Sequence, residues 1–345
     1  MFDSENGDFD IQKSHINDLG EYVITAGLSN NGVLGKTNID AKIIDGNTIT
    51  IDMFGNSFYR KFKYKMVTHA RVFSLIPKFN MSEKQGLYIV NSFKYLMFGF
   101  GYENMCSWAK IQNNKIQLPI KDGKIDFDFM DAYISELEEE RISELAAYLT
   151  VSGLDNYELS NEEKEVLENY KDMVFDEYKF KDIFNNIKQG RRLKKGDQII
   201  GKIPFVMSGR TNTGVVGYIS NPIALFSKNS ITIDIFGNSF YRNYDFGAGD
   251  DTGVYWNDEI QYPKEIMLYF TTAMEKALFG KYSYGKKLRS SQSFNFKMQL
   301  PTKNNEIDFT YMGLLISAVK KLVIKDVVLY ADNKINATKK VISKN

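Results

Sequence analysis

The side chains that most often carry catalysis or bind metal ions are scarce in this chain. Its 345 residues include two histidines, His15 and His69, and a single cysteine, Cys106. A Cys/His metal site needs several such ligands at short spacing, and a thiol nucleophile needs a histidine base beside it. The sequence contains no such cluster, so we predict that the chain binds no metal ion and uses no cofactor.

Nucleotide binding is a second chemistry that the glycine-rich stretches suggest. Gly35–Thr37 has the Gly-Lys-Thr ending of a phosphate-binding loop, which also requires a glycine five residues earlier. That position is Asn30, and the related stretch later in the chain reads Gly-Tyr-Ile at Gly217–Ile219. The sequence therefore does not predict a phosphate-binding loop of this kind.

Methyl transfer and acid–base catalysis are also poorly supported by the sequence. Transfer of a methyl group to an amino group of DNA requires an Asn/Asp-Pro-Pro-aromatic element, and the nearest stretch, Asn221–Ala224, reads Asn-Pro-Ile-Ala. The recurring carboxylates Asp52, Asp234, Asp126 and Asp308 are flanked by apolar residues. We expect them inside strands, where a buried hydrogen bond or ion pair is favoured over an acid–base role. We therefore predict that the chain is not an enzyme.

One stretch of twelve residues occurs twice with a single change. Ile49–Arg60 reads ITIDMFGNSFYR and Ile231–Arg242 reads ITIDIFGNSFYR. The same offset aligns GLSNNGVLG at Gly27–Gly35 with GRTNTGVVG at Gly209–Gly217. It also aligns the later Leu-Pro and Ile-Asp-Phe elements of the two halves. A constant offset over so long a stretch predicts two copies of one domain.

Both copies have the same predicted order of elements. A glycine-rich loop is followed by an alternating strand, a hairpin turn such as Gly55-Asn56, and a mixed aromatic region. Each copy ends in a helix of roughly 20 residues, about 30 Å long. Apolar residues recur there at three- and four-residue spacings, at Met130, Ile134, Leu137, Leu145 and Tyr148 and at Met312, Ile316, Val319, Val323, Val327 and Tyr330.

These elements divide the chain into four predicted segments. We expect a first domain over residues 1–128, a helix and acidic linker over 129–172, a second domain over 173–310, and a distal helix and tail over 311–345. The second copy is preceded by Phe175–Ile187, most of which has no counterpart before the first copy. We therefore expect about one strand to be missing there, as in a shortened or truncated start.

Composition is that of a globular protein without a membrane span. The hydrophobic share is 43%, and no run of apolar residues is long enough to cross a bilayer. The first residues are acidic and polar, unlike a secretory signal. With one cysteine the chain forms no internal disulfide, which fits a reducing cytoplasm.

Charge is strongly segregated along the chain. Between Glu136 and Glu177 there are 14 acidic and 3 basic residues, so the remainder carries a basic excess. Such a pattern suits a surface that faces a polyanion. An acidic, solvated helix on an otherwise ordinary protein is the alternative that charge alone leaves open.

Taken together, the motifs resemble those of the DNA-specificity subunits of type I restriction–modification systems and of the related type IIB subunits. The resemblance rests on the two glycine-rich loops, the repeated ITID(M/I)FGNSFYR, KYSYGKK at Lys281–Lys287, and IQLP or MQLP followed by Ile-Asp-Phe. It covers nearly the whole chain. It implies a mixed α/β fold with two tandem, pseudo-symmetric target-recognition domains containing twisted β-sheets, each followed by a long helix, the two helices pairing antiparallel.

The resemblance also implies a function and partners. Each domain is expected to read half of a split site in double-stranded DNA, and the helices to set the spacing and dock two methyltransferase (modification) subunits. A restriction subunit is a further possible partner. A duplicated carbohydrate- or protein-binding module is the rival interpretation, and steep salt dependence of duplex binding distinguishes the two.

Contacts to DNA are expected from loop cations and amides, because phosphates and base edges bind such groups. The repeated motif is favoured as core strand and turn, while its arginines could either pack or bind phosphate. The candidate contacts are Ser29, Asn30, Asn31, Lys36, Arg60, Lys61, Arg191, Arg192, Arg210, Thr211, Asn212, Arg242, Lys286, Lys287 and Arg289.

Overall fold

The computed structural model of the protein describes residues 1–342 and divides into two compact units. Unit 1 contains Met1–Ala147 and the residues from Lys334 onward, and unit 2 contains Tyr148–Asn333. The elements of the first half of the chain are β1 (Phe2–Asn6), β2 (Glu21–Ile24), β3 (Val33–Thr37), β4 (Thr48–Ile51), β5 (Ser57–Arg60), β6 (Tyr64–Met66), β7 (Phe73–Pro77), α1 (Glu83–Asn91), α2 (Trp108–Ile111), β8 (Ile120–Lys121), β9 (Lys124–Ile125) and α3 (Phe127–Val151).

The second half repeats this series with additions. Its elements are α4 (Asn161–Glu168), β10 (Phe175–Lys179), α5 (Phe180–Ile183), β11 (Asn186–Gln189), β12 (Ile200–Val206), β13 (Val215–Ile219), β14 (Leu225–Phe226), β15 (Ser230–Asp234), β16 (Ser239–Arg242), β17 (Phe246–Ala248), β18 (Thr252–Trp256), α6 (Lys264–Leu278), β19 (Lys297–Lys303), β20 (Glu306–Ile307) and α7 (Phe309–Ile342).

Each unit contains a four-stranded antiparallel sheet with equivalent strand order, β1-β7-β4-β5 in unit 1 and β11-β18-β15-β16 in unit 2. The repeated motif supplies an inner strand and its neighbouring edge strand in both, so Ile49 pairs with Tyr59 and Ile231 with Tyr241. A second sheet in each unit includes one parallel pair, β2 with β6 or β12 with β17. The prediction of a mixed α/β fold with two repeated domains is confirmed.

The inner strand of the repeated motif is buried on both faces. Ile49 and Ile51 are fully buried, as is Ile231, and each such side chain contributes about 1.5–3 kcal/mol of burial free energy. Thr50 on the opposite face is also only 1% exposed. Because its hydroxyl is buried, it needs an internal hydrogen-bond partner, and the arginine at the end of the motif supplies one.

The two carboxylates before the long helices cap them. Asp126 precedes α3 and accepts a hydrogen bond from the N–H of Phe129 at 2.9 Å, and Asp308 does the same for Tyr311 at 2.8 Å before α7. A side chain at this position satisfies one of the unpaired N–H groups of the first turn. The expectation that these two residues lie inside strands was wrong, because the strand ends one residue earlier.

Both helices are longer than the apolar spacing suggested. α3 has 25 residues and α7 has 34. Met130 and Met312 are fully buried, but several of the periodic residues further along are exposed, with Val323 at 74%. Within residues 1–342, none of the helices combines the length and apolar composition that crossing a bilayer requires.

Unit 2 contains a strand and a short helix that have no equivalent among the described residues of unit 1. β10 pairs antiparallel with β19, and α5 follows it directly and buries Phe180 and Ile183. The stretch of unit 1 that corresponds to β19 is mostly irregular, and only Ile120–Lys121 at its end forms a strand.

Candidate nucleic-acid interface

The aspartate of the repeated motif holds together a turn and a loop. Asp52 is 3% exposed, and its carboxylate accepts hydrogen bonds from the N–H groups of Phe54 and Asn56 and from the side-chain amide of Asn56. It accepts a fourth from the N–H of Gly27 at 2.8 Å. The turn is thereby tied to the start of the distant glycine-rich loop. This satisfied carboxylate has a structural role, which is the role that the sequence favoured.

Unit 2 repeats this arrangement. Asp234 accepts from the N–H of Gly209 at 3.0 Å, from the N–H of Asn238 at 2.9 Å and from the side-chain amide of Asn238 at 2.7 Å. The two loops therefore begin at the same place on equivalent turns.

The arginine of the motif holds the far side of the same loop. Arg60 is 2% exposed and donates from Nε to the Thr50 hydroxyl at 2.9 Å and from its guanidinium to the carbonyl oxygen of Asn31 at 2.7 Å. Arg242 donates in the same way to Thr232 at 3.0 Å and to the carbonyl oxygen of Thr213 at 2.6 Å. We call each aspartate–arginine pair, with its strands and turn, the frame.

Burial decides between the two roles that the sequence left open for these arginines. It lowers the pKa of Arg60 to about 10, so Arg60 stays charged at neutral pH, and it lowers the pKa of Arg242 as well. Their N–H groups point inward at strand and loop oxygens, so neither side chain is free to bind a phosphate. We therefore do not retain Arg60 and Arg242 among the proposed DNA contacts.

The loops have matching backbones. Asn30 and Asn31 have φ of 47° and 51°, and Asn212 and Thr213 have φ of 47° and 52°. This left-handed region is tolerated by asparagine and is unfavourable for a β-branched residue. Thr213 is held there by Arg242, which binds both its carbonyl and its hydroxyl oxygen. We name Gly27–Gly35 loop 1 and Gly209–Gly217 loop 2.

The side chains that the loops display differ. Loop 1 exposes Leu28 (61% exposed) and Ser29, where loop 2 exposes Arg210 and Thr211. The shared asparagines, Asn30 and Asn212, are exposed and donate to carbonyl oxygens three residues later in the same loop. Arg210 bonds Asn238 through Nε at 2.7 Å and pairs with Glu275 at 3.2 Å. All six predicted contacts in loops 1 and 2 lie on these exposed tips: Ser29, Asn30, Asn31, Arg210, Thr211 and Asn212.

Three predicted cations from distant parts of the sequence line one cleft in unit 2. Arg191, Arg192 and Arg289 line it together with the aromatic rings of Trp256 and Phe294, and its volume is about 940 Å³. We call it the cationic cleft. Cations beside aromatic rings suit a phosphate–sugar backbone or an unstacked base.

Backbone and side-chain bonds fix the position of these cations. The N–H of Arg191 donates to the Ala248 carbonyl at 2.9 Å, and Arg289 donates to the Asp250 carbonyl at 2.7 Å. Gly190 precedes Arg191, and a Cβ there would lie 2.2 Å from the Gly249 carbonyl oxygen. Only glycine lets the two backbones approach closely enough to place Arg191 at the cleft.

Lys286 and Lys287 lie in an exposed loop beside the frame of unit 2. The next residue, Leu288, donates its N–H to the carbonyl oxygen of Ile235 in the turn of the repeated motif, at 2.9 Å. Lys287 lies 4.5 Å from the centre of the Tyr284 ring, which is 81% exposed. These lysines and Arg210 therefore flank the same turn.

Unit 1 has fewer cations at the equivalent places. Its segment after the edge strand reads Asp8-Phe9-Asp10, and a hydrogen bond with the His69 ring lowers the pKa of Asp10. Lys36 lies over the Tyr22 ring at 4.6 Å, and Lys61 is exposed, 3.8 Å from Glu83. The structure brings neither lysine into a cleft like that of unit 2.

Sequence reasoning missed the aromatic walls of the cleft, Trp256 and Phe294. For Phe294 a signal was present, since it lies between Arg289 and Lys297, but Trp256 is followed by Asp258 and Glu259, and its place in the cleft depends on the sheet. Lys65, in a basic stretch of the sequence, is buried and donates to the carbonyl oxygens of Thr37 and Ile39.

The single thiol of the chain is buried. Burial raises the pKa of the Cys106 thiol to about 11, so it stays protonated at neutral pH. Among residues 1–342 there is no group of three or more His, Cys, Asp or Glu side chains that could hold a metal ion.

Comparison with known proteins gives two matches to one family. The family model for the type I restriction modification DNA specificity domain matches residues 1–147 and again residues 174–327. The specificity subunit S.BcgI of a type II restriction enzyme from Heyndrickxia coagulans is 24% identical over 323 residues, which are 91% of this chain and 90% of that protein.

A crystal structure with the same architecture is also known. The S subunit of a type I restriction-modification system from M. genitalium superposes with a TM-score of 0.51 at 16% identity, covering 99% of this chain and 92% of that one. At this identity the superposition is a likeness of fold.

Proposed function

Because this chain belongs to the family of type I restriction–modification DNA specificity domains and carries two of them, we propose that it is the non-catalytic subunit that selects the DNA sequence in a restriction–modification complex. Each unit reads one half of a split site in double-stranded DNA. Methyl transfer and cleavage belong to partner subunits.

The observation that carries this proposal is the pair of frames. Both units fix a loop by an identical aspartate and an identical arginine, yet the loops display Leu28-Ser29 in one unit and Arg210-Thr211 in the other. Two copies of a domain that read different short sequences need the same supporting structure and different contact residues. A purely structural duplication has no need of exposed loops that differ on a matched backbone.

Affinity for the duplex is proposed to come mainly from unit 2. Its cationic cleft and the Lys286–Lys287 loop supply cations for phosphates, whereas the equivalent places in unit 1 are acidic or neutral. The retained candidate contacts are Ser29, Asn30, Asn31, Lys36, Lys61, Arg191, Arg192, Arg210, Thr211, Asn212, Lys286, Lys287 and Arg289.

Docking of two modification subunits on the long helices is the proposed route to activity. An exposed apolar stripe on α7, formed by Val319, Leu322, Val323 and Val327, supports it. Exposed apolar patches of this kind are typical of binding surfaces. We further propose that α3 and α7 pair antiparallel and set the distance between the half-sites, and that a restriction subunit can join the complex.

The rival function, a duplicated carbohydrate- or protein-binding module, has no support from the family match. The two functions predict different salt dependence of binding. Contacts to DNA phosphates release counterions, so log Kd for a duplex changes linearly with the logarithm of the salt concentration. Binding to a saccharide or to a protein surface without a phosphate backbone lacks that steep slope.

The test of the proposed function is co-expression with the neighbouring genes, followed by mapping of methylated positions in genomic DNA. We expect one split motif, and loss of that motif when this chain is omitted. Methylation of an unsplit motif, or the same motif without this chain, would contradict the proposal.

A further inference from the structure

Each unit has a short hairpin beside the turn of its frame. The first and last residues of Gly101–Asn104 exchange two backbone hydrogen bonds of 3.1 Å, and those of Ser283–Lys286 exchange bonds of 3.1 and 3.0 Å. The offset that aligns the two copies also aligns these segments, and it places Tyr102 and Tyr284 at the first position of the two tips. We call the segments hairpin 1 and hairpin 2.

The same backbone bond attaches each hairpin to its frame. After hairpin 1 the N–H of Cys106 donates to the carbonyl oxygen of Met53 at 2.8 Å. After hairpin 2 the N–H of Leu288 donates to the carbonyl oxygen of Ile235 at 2.9 Å. Met53 and Ile235 lie in the turns whose aspartates hold the starts of loops 1 and 2. Each hairpin is therefore fixed beside the turn that holds a proposed DNA-reading loop.

The tyrosine is the residue that the two hairpins share. Between Met97 and Gln112, Tyr102 is the one residue that is identical at the aligned position of the second copy. Tyr102 is 75% exposed and Tyr284 is 81% exposed, more than any other tyrosine within residues 1–342. Neither hydroxyl group forms a hydrogen bond within that part of the chain.

Packing gives no common reason for the same side chain at both tips. In unit 1 the tyrosine ring meets Phe54 edge-on at 5.0 Å between centres, whereas in unit 2 Lys287 lies 4.5 Å from the ring centre. Neither tyrosine has a left-handed backbone that would restrict the choice of residue. What the two positions have in common is exposure beside a proposed reading loop, which indicates a ligand outside the fold that both units bind.

The DNA backbone is such a ligand. Two half-sites of different sequence contain the same phosphates, and tyrosine hydroxyls are among the groups that donate hydrogen bonds to phosphate oxygens. Cations beside both tips favour the same ligand. Lys286 and Lys287 lie at hairpin 2, and Lys110 donates to the Asn104 side chain at 2.7 Å and to the Met105 carbonyl at 2.8 Å at hairpin 1.

We propose that Tyr102 and Tyr284 each donate a hydrogen bond from Oη to a phosphate of the half-site that their unit reads. This contact adds affinity and positions the domain on the duplex without discriminating between bases. The inference rests on the proposed function. Glu103 at the tip of hairpin 1 repels phosphates, whereas hairpin 2 has Gly285 there, so the Tyr284 contact is the stronger of the two.

The test uses the complex purified after co-expression with the modification subunits, and its Kd for a duplex with the mapped motif, measured by fluorescence anisotropy. Tyr284→Phe removes only the hydroxyl group and should weaken binding about fivefold, both to this duplex and to an unrelated one. Tyr102→Phe should weaken both by a smaller factor. Tyr170→Phe alters another exposed tyrosine of unit 2 and, as the matched control, should leave Kd unchanged. The methylated motif should be the same in all three variants.

A second measurement identifies the phosphate. Duplexes in which single phosphates are replaced by uncharged methylphosphonates show which phosphates the unaltered complex needs. Replacing the phosphate that Tyr284 binds should weaken binding by the unaltered complex and have little further effect on Tyr284→Phe. An indirect effect of the substitution on the fold would instead leave the same set of phosphates sensitive in both.

Three results would overturn the inference. The first is an unchanged Kd in both phenylalanine variants, and loss of the modification subunits in size-exclusion chromatography would then assign the tyrosines to subunit docking. The second is a changed methylated motif, which would assign them to base reading. The third is an identical set of sensitive phosphates in Tyr284→Phe. If the unaltered complex shows no salt-dependent binding to the duplex, the proposed function fails and this inference fails with it.

Discussion

Single residues at the loop tips are where the proposed sequence discrimination resides. Arg210 has the reach and the donors to contact a base edge, and its partners Asn238 and Glu275 orient it without burying it. We predict that Arg210→Ala relaxes or abolishes recognition of one half-site only, at a cost of roughly 1–3 kcal/mol if it contacts a base. Methylation mapping in the assembled complex measures this.

Two variants serve as controls for Arg210. Leu28→Ala changes the same position of loop 1 and should affect the other half-site alone. Lys287→Ala, beside the same turn, should weaken binding to all sequences and make the salt slope shallower. An unaltered methylation pattern in Arg210→Ala would remove that residue from the interface.

The buried carboxylates allow a test of the frame. In Asp234→Asn the amide nitrogen would replace one carboxylate oxygen, so either the N–H of Gly209 and the side-chain amide of Asn238, or the N–H groups of Phe236 and Asn238, would lose their acceptor. We predict a loss of about 1–3 kcal/mol in the free energy of unfolding, measured by urea denaturation, and weaker reading of the half-site of unit 2. Asp52→Asn should do the same for unit 1, and equal effects of either change on both half-sites would refute the assignment.

The long helices are held by contacts that sequence alone did not reveal. Glu163, in the first turn of α4, accepts hydrogen bonds from Ser317 at 2.6 Å and from Lys321 at 2.8 Å, both on α7. Burial alone would raise the pKa of Glu163, but the bonds from Lys321, Ser317 and the Ser160 backbone outweigh it and lower the pKa below 4.5. The ion pair therefore stabilises unit 2 at pH values above 4.5, and this stabilisation is lost as pH falls through the lowered pKa.

We predict that Glu163→Gln lowers the free energy of unfolding by about 1–3 kcal/mol at pH 7 and by less in acid. Urea denaturation at pH 7 and below pH 4 measures both values. Glu165→Gln, an exposed neighbour on the same helix, is the matched control and should change stability little at either pH. If Glu163→Gln lowers the free energy of unfolding equally at the two pH values, the carboxylate does not act through its charge.

The spacing prediction belongs to helix α3. Its 25 residues span about 38 Å, close to one turn of DNA at about 34–36 Å, so we expect half-sites centred about one turn apart. Inserting four residues near the exposed Ser143 adds about 6 Å and should lengthen the unread spacer by about two base pairs. The spacer is measured by methylation mapping of the insertion variant. If the variant is active and its spacer is unchanged, α3 does not set the distance between the half-sites.

At the scale of the whole molecule, activity is expected only in assembly. The match of both halves of the chain to the DNA specificity domain motivates this. We predict that the purified chain with S-adenosylmethionine and DNA transfers no methyl groups above a mock preparation. Adding a modification subunit should restore sequence-directed transfer, and transfer by the chain alone would contradict the prediction.

The sequence predicts more of the repeated architecture than of the surface. Identical residues at one offset imply identical domains, so two units and two long helices follow from ITID(M/I)FGNSFYR and the apolar spacing. The inward direction of Arg60 and Arg242 does not follow, because an arginine at a strand end can pack or project. The convergence of Arg191 with Arg289 depends on how β11 and the segment before β19 meet in the fold, which no local pattern encodes.

The frame also bears on how such a protein acquires a new target over generations. Its two anchors grip main-chain atoms, the N–H of Gly27 and the carbonyl of Asn31 in one unit and those of Gly209 and Thr213 in the other. Those atoms belong to other residues than Leu28-Ser29 or Arg210-Thr211, so substitutions at these two of the three exposed positions between the anchors leave the anchoring hydrogen bonds intact. Mutations at these positions therefore change the exposed side chains without affecting folding. Because the domain is duplicated, loops 1 and 2 can diverge independently while the frame stays the same in both units.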